Sequence, residues 1–201
     1  MASGVHANLV MSIQEAQKLY IQAKATLKKL LATDGVSSLL SNIDWLDDSE
    51  YHATIAYSKR NFPVSNFVFS EIFDTIAEPF VVDSFAVLNG GKEVCLVAKI
   101  SDARLQNIHN TLLGLGAEES HRTFCGHITL GTINSNADII ETRLKLAGNQ
   151  DSNISVKFSG VNFENLDEDY SYQNGIKELF AARNEMEILS KNELRIKGCT
   201  Q

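Results

Sequence analysis

Histidine followed two residues later by threonine occurs four times in this 201-residue chain: His52-Ala53-Thr54, His109-Asn110-Thr111, His121-Arg122-Thr123 and His127-Ile128-Thr129. The first and last open runs rich in β-branched and apolar residues, HATIAYS and HITLGTI. On a strand, residues i and i+2 share a face. Each run therefore aims an imidazole and a hydroxyl the same way, while Ala53 and Ile55, or Ile128 and Leu130, point into the core. By the same alternation Tyr57 points away from His52, toward core or helix. His109 falls inside the helical pattern from Leu105 to Leu115 and reads as a surface residue. His121 and Arg122 lie in a polar stretch before the last run. They either reach a bound phosphate or form a solvated loop, and both readings stay open.

Two imidazoles and two hydroxyls around one small anion suit phosphodiester chemistry. A neutral histidine takes a proton from the attacking oxygen, and a protonated one gives a proton to the leaving oxygen. The threonine hydroxyls donate to the non-bridging oxygens, where charge gathers in the transition state. Such a site calls for no metal and no cofactor, and acidic clusters with metal-like spacing are absent near both runs. It predicts a bell-shaped pH–rate profile. A three-residue pattern is short, and a repeat distinguishes the two runs. Strand, helix and His-bearing strand occur as ANLVMS, IQEAQKLY and HATIAYS, then again as VCLVAKIS, DARLQNIHNTL and HITLGTI. The two histidines are 127 − 52 = 75 residues apart. Two similar lobes facing one cleft would bring both dyads to a single anion.

The elements that must hold these residues are legible in outline. Gly4–Met11 reads as a strand and Ile13–Leu31 as a helix, with Ser12 as N-cap and Glu15 as its capping-box partner. Val36–Leu46 is a short helix or an ordered loop, Tyr51–Ser58 a strand, and Asn66–Ile76 short helix or irregular. Phe80–Leu88 and Glu93–Ile100 read as two strands joined at Asn89-Gly90, a strong hairpin signal. Ser101 or Asp102 caps a helix that runs through Leu115 and ends at Gly116. A strand within Thr123–Asn134, a helix over Asn136–Ala147, a strand over Ile154–Phe163 and a helix over Gly175–Lys191 complete the chain.

Composition bounds the function. Lys plus Arg is 18 and Asp plus Glu is 25, a net charge of −7. That argues against a dedicated duplex-DNA or anionic-membrane binder and leaves room for a local basic pocket. With 44% hydrophobic and 21% charged residues, the chain reads as one soluble domain over 1–201, long enough to bury a core. Cys95, Cys125 and Cys199 are odd in number and widely spaced, which predicts neither a disulfide framework nor a cysteine zinc site and fits a reducing cytoplasm. Met1–Val10 has no basic stretch followed by an apolar one, and no 18-residue apolar run occurs, so neither a signal peptide nor a membrane span is expected. Oligomeric state is not set by the sequence.

HATIAYS and HITLGTI resemble the paired H-x-T/S motifs of the 2H phosphoesterase superfamily, and the likeness in element order covers Gly4–Phe163. Within that superfamily the chain is most similar to the phage anti-CBASS nucleases, which cut cyclic di- and trinucleotides of bacterial antiviral defence. The resemblance implies an α+β, bilobal, LigT-like fold: two pseudo-twofold-related lobes, antiparallel sheets forming a central groove, helices outside. It implies metal-independent catalysis with His52 and His127 as the acid/base pair and Thr54 and Thr129 on the phosphate. It implies a small nucleotide substrate and, if the chain is phage-encoded, a place in the host cytoplasm.

Further residues are candidates for holding the substrate. Trp45 and Tyr51 lie near the first motif and offer aromatic faces for a base. Glu164 follows the last strand and can accept from a base edge. Arg122, and Lys59 with Arg60, can attract phosphate or form solvated strand ends; His6 reads as structural unless the opening strand borders the groove, where it can contact ligand, and Asp167-Glu168-Asp169 reads as a solvated loop. Three functions remain open: a phosphodiesterase of cyclic oligonucleotides, an RNA 2′,3′-cyclic or 2′–5′ phosphodiesterase, and a protein that sequesters a cyclic nucleotide without turnover.

Overall fold

A computed structural model of the chain describes residues 5–32, 39–58, 65–89, 93–117, 124–148 and 153–165. In order, the elements are β1 (Val5–Met11), α1 (Ile13–Leu30), a 3₁₀ turn (Leu39–Asn42), β2 (Ile43–Trp45), β3 (His52–Ser58) and α2 (Asn66–Ile76). They continue with β4 (Phe80–Val82), β5 (Ser84–Asn89), β6 (Val94–Lys99), α3 (Ala103–Gly114), β7 (His127–Ile133), α4 (Ala137–Ala147), β8 (Ile154–Val156) and β9 (Phe158–Asn165). The helix expected over Gly175–Lys191 lies outside the described residues, as do Lys59, Arg60, Arg122, His121 and the Asp167–Asp169 run. Among the described residues no helix is long and apolar enough to cross a membrane.

The class is α+β, as expected, and the strand pairings are antiparallel. One sheet has the order β3-β1-β9 and a second the order β2-β7-β6-β5, with β4-β8 as a two-stranded link. Each of the two larger sheets carries one His-x-Thr strand, and β3 and β7 come together where the sheets meet. The helices lie against the sheets, α1 on β8, α2 on β9, α3 on β3 and α4 on β5. One continuous apolar cluster joins both halves, from Leu9 and Ile55 to Leu96, Ile128 and Leu130.

Two strands read as continuous in sequence are broken. Phe80–Leu88 parts at Asp83, because Phe80–Val82 pairs with β8 while Ser84–Asn89 pairs with β6. Ile154–Phe163 parts at Lys157 for the same reason, β8 going to β4 and β9 to β1. A strand that serves two sheets must bend, and Asp83 stabilises its bend by accepting from the Ser101 backbone amide.

The helices follow their sequence signals closely. In α1 the buried stripe is Ala16, Leu19, Ala23 and Leu27, spaced at helical intervals. The Ser12 hydroxyl accepts from the Glu15 amide at 3.3 Å. Glu15 does not complete the capping box; its carboxylate accepts from the Lys157 amide at 3.3 Å and pairs with Lys18. Asp102 caps α3, accepting from the Arg104 amide at 2.8 Å. Hydrogen bonds from Arg104 hold the Asp102 carboxyl below its ordinary range, and the same guanidinium reaches the Glu78 and Pro79 carbonyls. This ties the start of α3 to the chain before β4.

The feature that places the site is a pair of matched β-bulges. In β3, Thr54 pairs with Asn8 and Ala56 with Ala7, so Ile55 is an extra residue. In β7, Thr129 pairs with Val97 and Gly131 with Leu96, so Leu130 is the extra residue. Both bulges fall one position after the threonine of the His-x-Thr motif. A bulge shifts the inward–outward phase by one. Burial records that shift identically in the two strands, with half-buried residues at 52, 54 and 57 and at 127, 129 and 132.

Candidate active site

A cavity of about 720 Å³ opens between β3 and β7. That volume is in the range of ordinary small-ligand clefts. Thr54 and Tyr57 of β3 and His127 and Thr129 of β7 line it. His52 shares the face of Thr54 and is half-buried at the start of its strand, outside the cavity wall.

The two histidines are held alike. His52 Nδ1 lies 2.7 Å from the Glu50 carbonyl oxygen and His127 Nδ1 lies 2.7 Å from the Cys125 carbonyl oxygen. A carbonyl only accepts, so each Nδ1 carries the proton and donates it. In the neutral ring Nε2 is then the basic nitrogen, and in the charged ring it is the acidic N–H. A bond to the carbonyl two residues back therefore fixes ring and tautomer in both copies with one local device.

The copies differ at the threonines. The Thr54 hydroxyl donates to the Asn8 side-chain oxygen at 2.9 Å. Thr129 stands opposite Val97, which offers no polar side-chain atom. They differ beside the histidines too: Val10 pairs with His52, whereas Lys99 pairs with His127.

The bulge corrects the expectation for Tyr57. Strict alternation points it away from His52, but the extra residue at Ile55 returns it to the cavity face. There it packs edge-on against His6, ring centroids 4.9 Å apart, and His6 also lines the cavity. His109 is corrected as well. It is not a surface residue but buried, at 7% exposure. Its Nδ1 donates to the Ile55 carbonyl at 2.7 Å, and its ring stacks on Phe124 at 4.3 Å. The helical spacing held the signal, since 109 lies on the stripe of Leu105, Ile108 and Leu112. His109 thus satisfies the carbonyl of the bulged residue in the first copy. In the second copy Leu46 N and the Tyr51 hydroxyl serve Leu130 O, at 3.0 and 3.4 Å. Replacing His109 with leucine leaves Ile55 O without its buried donor and is expected to cost about 1–3 kcal/mol of stability. Urea unfolding measures this; an unchanged midpoint would mean that another group takes over the carbonyl.

Of the remaining substrate candidates, Tyr51 and Trp45 turn away from the cavity. Tyr51 is 2% exposed, and burial, with Asp48 and Tyr20 nearby, pushes its phenol far above the ordinary value. Its hydroxyl is used on Leu130 O. Trp45 packs edge-on against Tyr20 at 5.2 Å, with the Lys24 ammonium 5.8 Å from its ring centre. Neither lines the cavity. Glu164 pairs with His6 along the β1–β9 ladder, which places its backbone beside a cavity residue. Arg122 lies outside the described residues.

Two antiparallel sheets that each deliver a His-x-Thr strand to one cleft match the 2H architecture implied by the sequence resemblance. The chain belongs to the anti-CBASS protein Acb1 family, whose model matches residues 17–173. Among curated proteins none matches the chain. Similar solved structures include a phosphoesterase with 16% identity, covering 67% of this chain and 75% of that one at a TM-score of 0.41. E. coli LigT in complex with 3′-AMP has 12% identity, with 80% and 86% of the two chains covered and a TM-score of 0.40. A conserved protein of unknown function from Agrobacterium tumefaciens has 16% identity, with 84% and 82% covered and a TM-score of 0.34.

Proposed function

We propose that this chain is a metal-independent phosphodiesterase that cuts 3′–5′ bonds in cyclic di- or trinucleotide immune signals, as a phage counter-defence enzyme. The observation that carries the reading is the matched anchoring of His52 and His127, which leaves Nε2 of each free for proton transfer. A protein that only sequesters a ligand has no need of two such rings. Membership in the anti-CBASS family supports the counter-defence role and the class of substrate.

In the proposed reaction the substrate's own 2′-hydroxyl attacks phosphorus. One neutral imidazole takes the 2′ proton at Nε2 as the new P–O2′ bond forms. The other, protonated, gives its Nε2 proton to the leaving 5′ oxygen as P–O5′ breaks. The immediate products are a 2′,3′-cyclic phosphate and a free 5′-hydroxyl. Holding the hydroxyl and the phosphate in one cleft makes the attack intramolecular, and no protein nucleophile is required. The His6–Tyr57 pair at the cavity wall offers an aromatic surface for a base.

The test is a cleavage panel in excess EDTA. It holds 3′3′-cyclic dinucleotides, cyclic trinucleotides, a 2′–5′ dinucleotide and an RNA 2′,3′-cyclic phosphate, each with wild type and the His52→Ala/His127→Ala double variant. Histidine-dependent loss of the cyclic oligonucleotides at the full rate is expected. Cleavage of the RNA-type substrates alone would move the protein to RNA processing. Abolition by EDTA with rescue by Mg²⁺ or Mn²⁺ would overturn the mechanism. Tight binding with no turnover would make it a sequestering protein.

A further inference from the structure

Each catalytic histidine lies at the end of a row of three residues that runs across its sheet. In the first sheet the row is His52, Val10, Gly160, and in the second it is His127, Lys99, Ser84. Directly paired residues of antiparallel strands share a face. In the second sheet that face is the one that looks into the cavity. Along β6, Cys95 and Val97 line the cavity, and Lys99 is the next residue with the same alternation. The first row therefore adds only apolar groups to its histidine, whereas the second adds an ammonium and a hydroxyl.

The fold itself uses neither group. Lys99 and Ser84 are half-buried. Among the described residues, neither the Lys99 Nζ nor the Ser84 hydroxyl has a hydrogen-bond or ion-pair partner. The neighbouring acid is committed elsewhere, since the Asp83 carboxylate accepts from the Ser101 amide. Partial burial of an unpaired cation costs free energy that a bound anion returns. The residues that line the cavity include no lysine and no arginine. Lys99 thus stands just beyond the cavity wall, at its His127 edge. Ser84 is one strand farther out, about 10 Å from His127 by strand spacing.

A cyclic dinucleotide brings two phosphates and a cyclic trinucleotide three, and one of them lies between the dyads when it is cut. We propose that Lys99 and Ser84 form a second anion subsite, which holds the phosphate next to the scissile one and so selects substrates with more than one phosphate. The inference rests on the phosphodiesterase reading above and deepens it. Lys99 supplies a point charge with three donors, and Ser84 one more donor. Because the cation stands at one edge only, it also fixes which way a substrate lies across a cleft whose two dyads are alike.

The test separates a ligand with two phosphates from a ligand with one. Affinities for a 3′3′-cyclic dinucleotide and for adenosine 3′-monophosphate are measured without turnover in the His52→Ala/His127→Ala protein. KM and kcat are measured in the otherwise wild-type chain. Lys99→Met keeps most of the aliphatic stem and removes the charge. It is expected to weaken the cyclic dinucleotide about tenfold or more, the loss for one charge-assisted hydrogen bond, and to leave adenosine 3′-monophosphate within about twofold. KM for the cyclic dinucleotide rises with a smaller change in kcat, and its dependence on ionic strength weakens. Lys99→Arg, which keeps the charge, restores most of the affinity. Ser84→Ala removes a single hydroxyl and reads the same subsite independently, at a cost of about threefold, that of one neutral hydrogen bond.

Equal losses for the two ligands in Lys99→Met would put the cation on the reacting phosphate. Unchanged affinity for the cyclic dinucleotide in Lys99→Met and Ser84→Ala would leave the subsite without a ligand. Either result overturns the inference, while an active wild type keeps the phosphodiesterase reading. A wild type that binds the cyclic dinucleotide through Lys99 but does not cut it keeps the subsite and overturns that reading. A wild type that neither cuts nor binds it overturns both.

Discussion

His52→Ala and His127→Ala each reduce turnover by about 10²–10⁴-fold, the range for loss of a positioned general acid or base. Each factor of ten is about 1.36 kcal/mol of transition-state stabilisation. The two losses do not add, because the base and the acid serve one displacement, and the double variant is expected to fall little below either single one. The fold survives these changes. Both rings are half-buried, and each is anchored to a carbonyl only two residues back, on exposed Glu50 and Cys125. Water replaces the lost donor there, so the cost is on the order of 1 kcal/mol. Rate assays with circular dichroism and ligand titration on the same samples check this. If both variants fail to fold, the histidines are core residues of the sheet and the catalytic assignment falls.

The second large effect is on stability. Gly131 follows the bulge in β7 and pairs with Trp45 of β2. A Cβ at 131 would collide with the Asp44 backbone oxygen and lie 2.9 Å from the Trp45 Cα. Backbone atoms cannot rotate away as a side-chain tip can, so β2 must move. That strains the Leu46 N bond to Leu130 O, which measures 3.0 Å, and the short β2–β7 ladder beside it. Overpacking costs about 1–3 kcal/mol and each lost hydrogen bond about 1 kcal/mol more. Gly131→Ala is therefore expected to lose about 3–5 kcal/mol, a shift in Tm of roughly 6–20 °C for a chain of this size. Gly114, at the end of α3, has open space around its Cα. Gly114→Ala is the control, neutral or stabilising by up to about 1 kcal/mol. A Gly131→Ala protein with the wild-type Tm would mean that β2 is not held against Gly131.

The dyads were legible because their signal is local. His52 with Thr54 and His127 with Thr129 each need only the two-residue period of a strand. The repeat that selected them over His109 and His121 is also visible in one dimension. What escaped depends on partners far along the chain. Tyr57 was misdirected because a bulge is defined by two residues opposing one, and the one, Asn8 or Ala7, lies on another strand. A trace of it was present, since Ile55-Ala56 and Leu130-Gly131 break the alternation at the same place in both runs. The hydrogen bond from Thr54 to Asn8 depends on that register as well, with its ends 46 residues apart. His109 is a different case, because the helical stripe it sits on could be counted directly. Polarity alone argued for the surface, but a buried imidazole with a buried carbonyl to serve is stable there. Tyr51 and Trp45 were near the motif in sequence, yet nearness along a chain does not set direction, and both rings turn to the core side.

The order of strands in the first sheet has a consequence for synthesis. Its middle strand is β1, which holds β3 on one side and β9 on the other, with Val5 paired to both Ser58 and Asn165. In synthesis β1 must therefore wait for a partner made about 150 residues later. At roughly 5–20 residues per second that delay is on the order of ten to thirty seconds. During it, one long edge of β1 carries unpaired amides and carbonyls beside apolar Leu9, a surface open to wrong pairing. The strand that bears Asn8 is thus made well before it is secured, so this half of the cleft gains its final shape only once β9 exists.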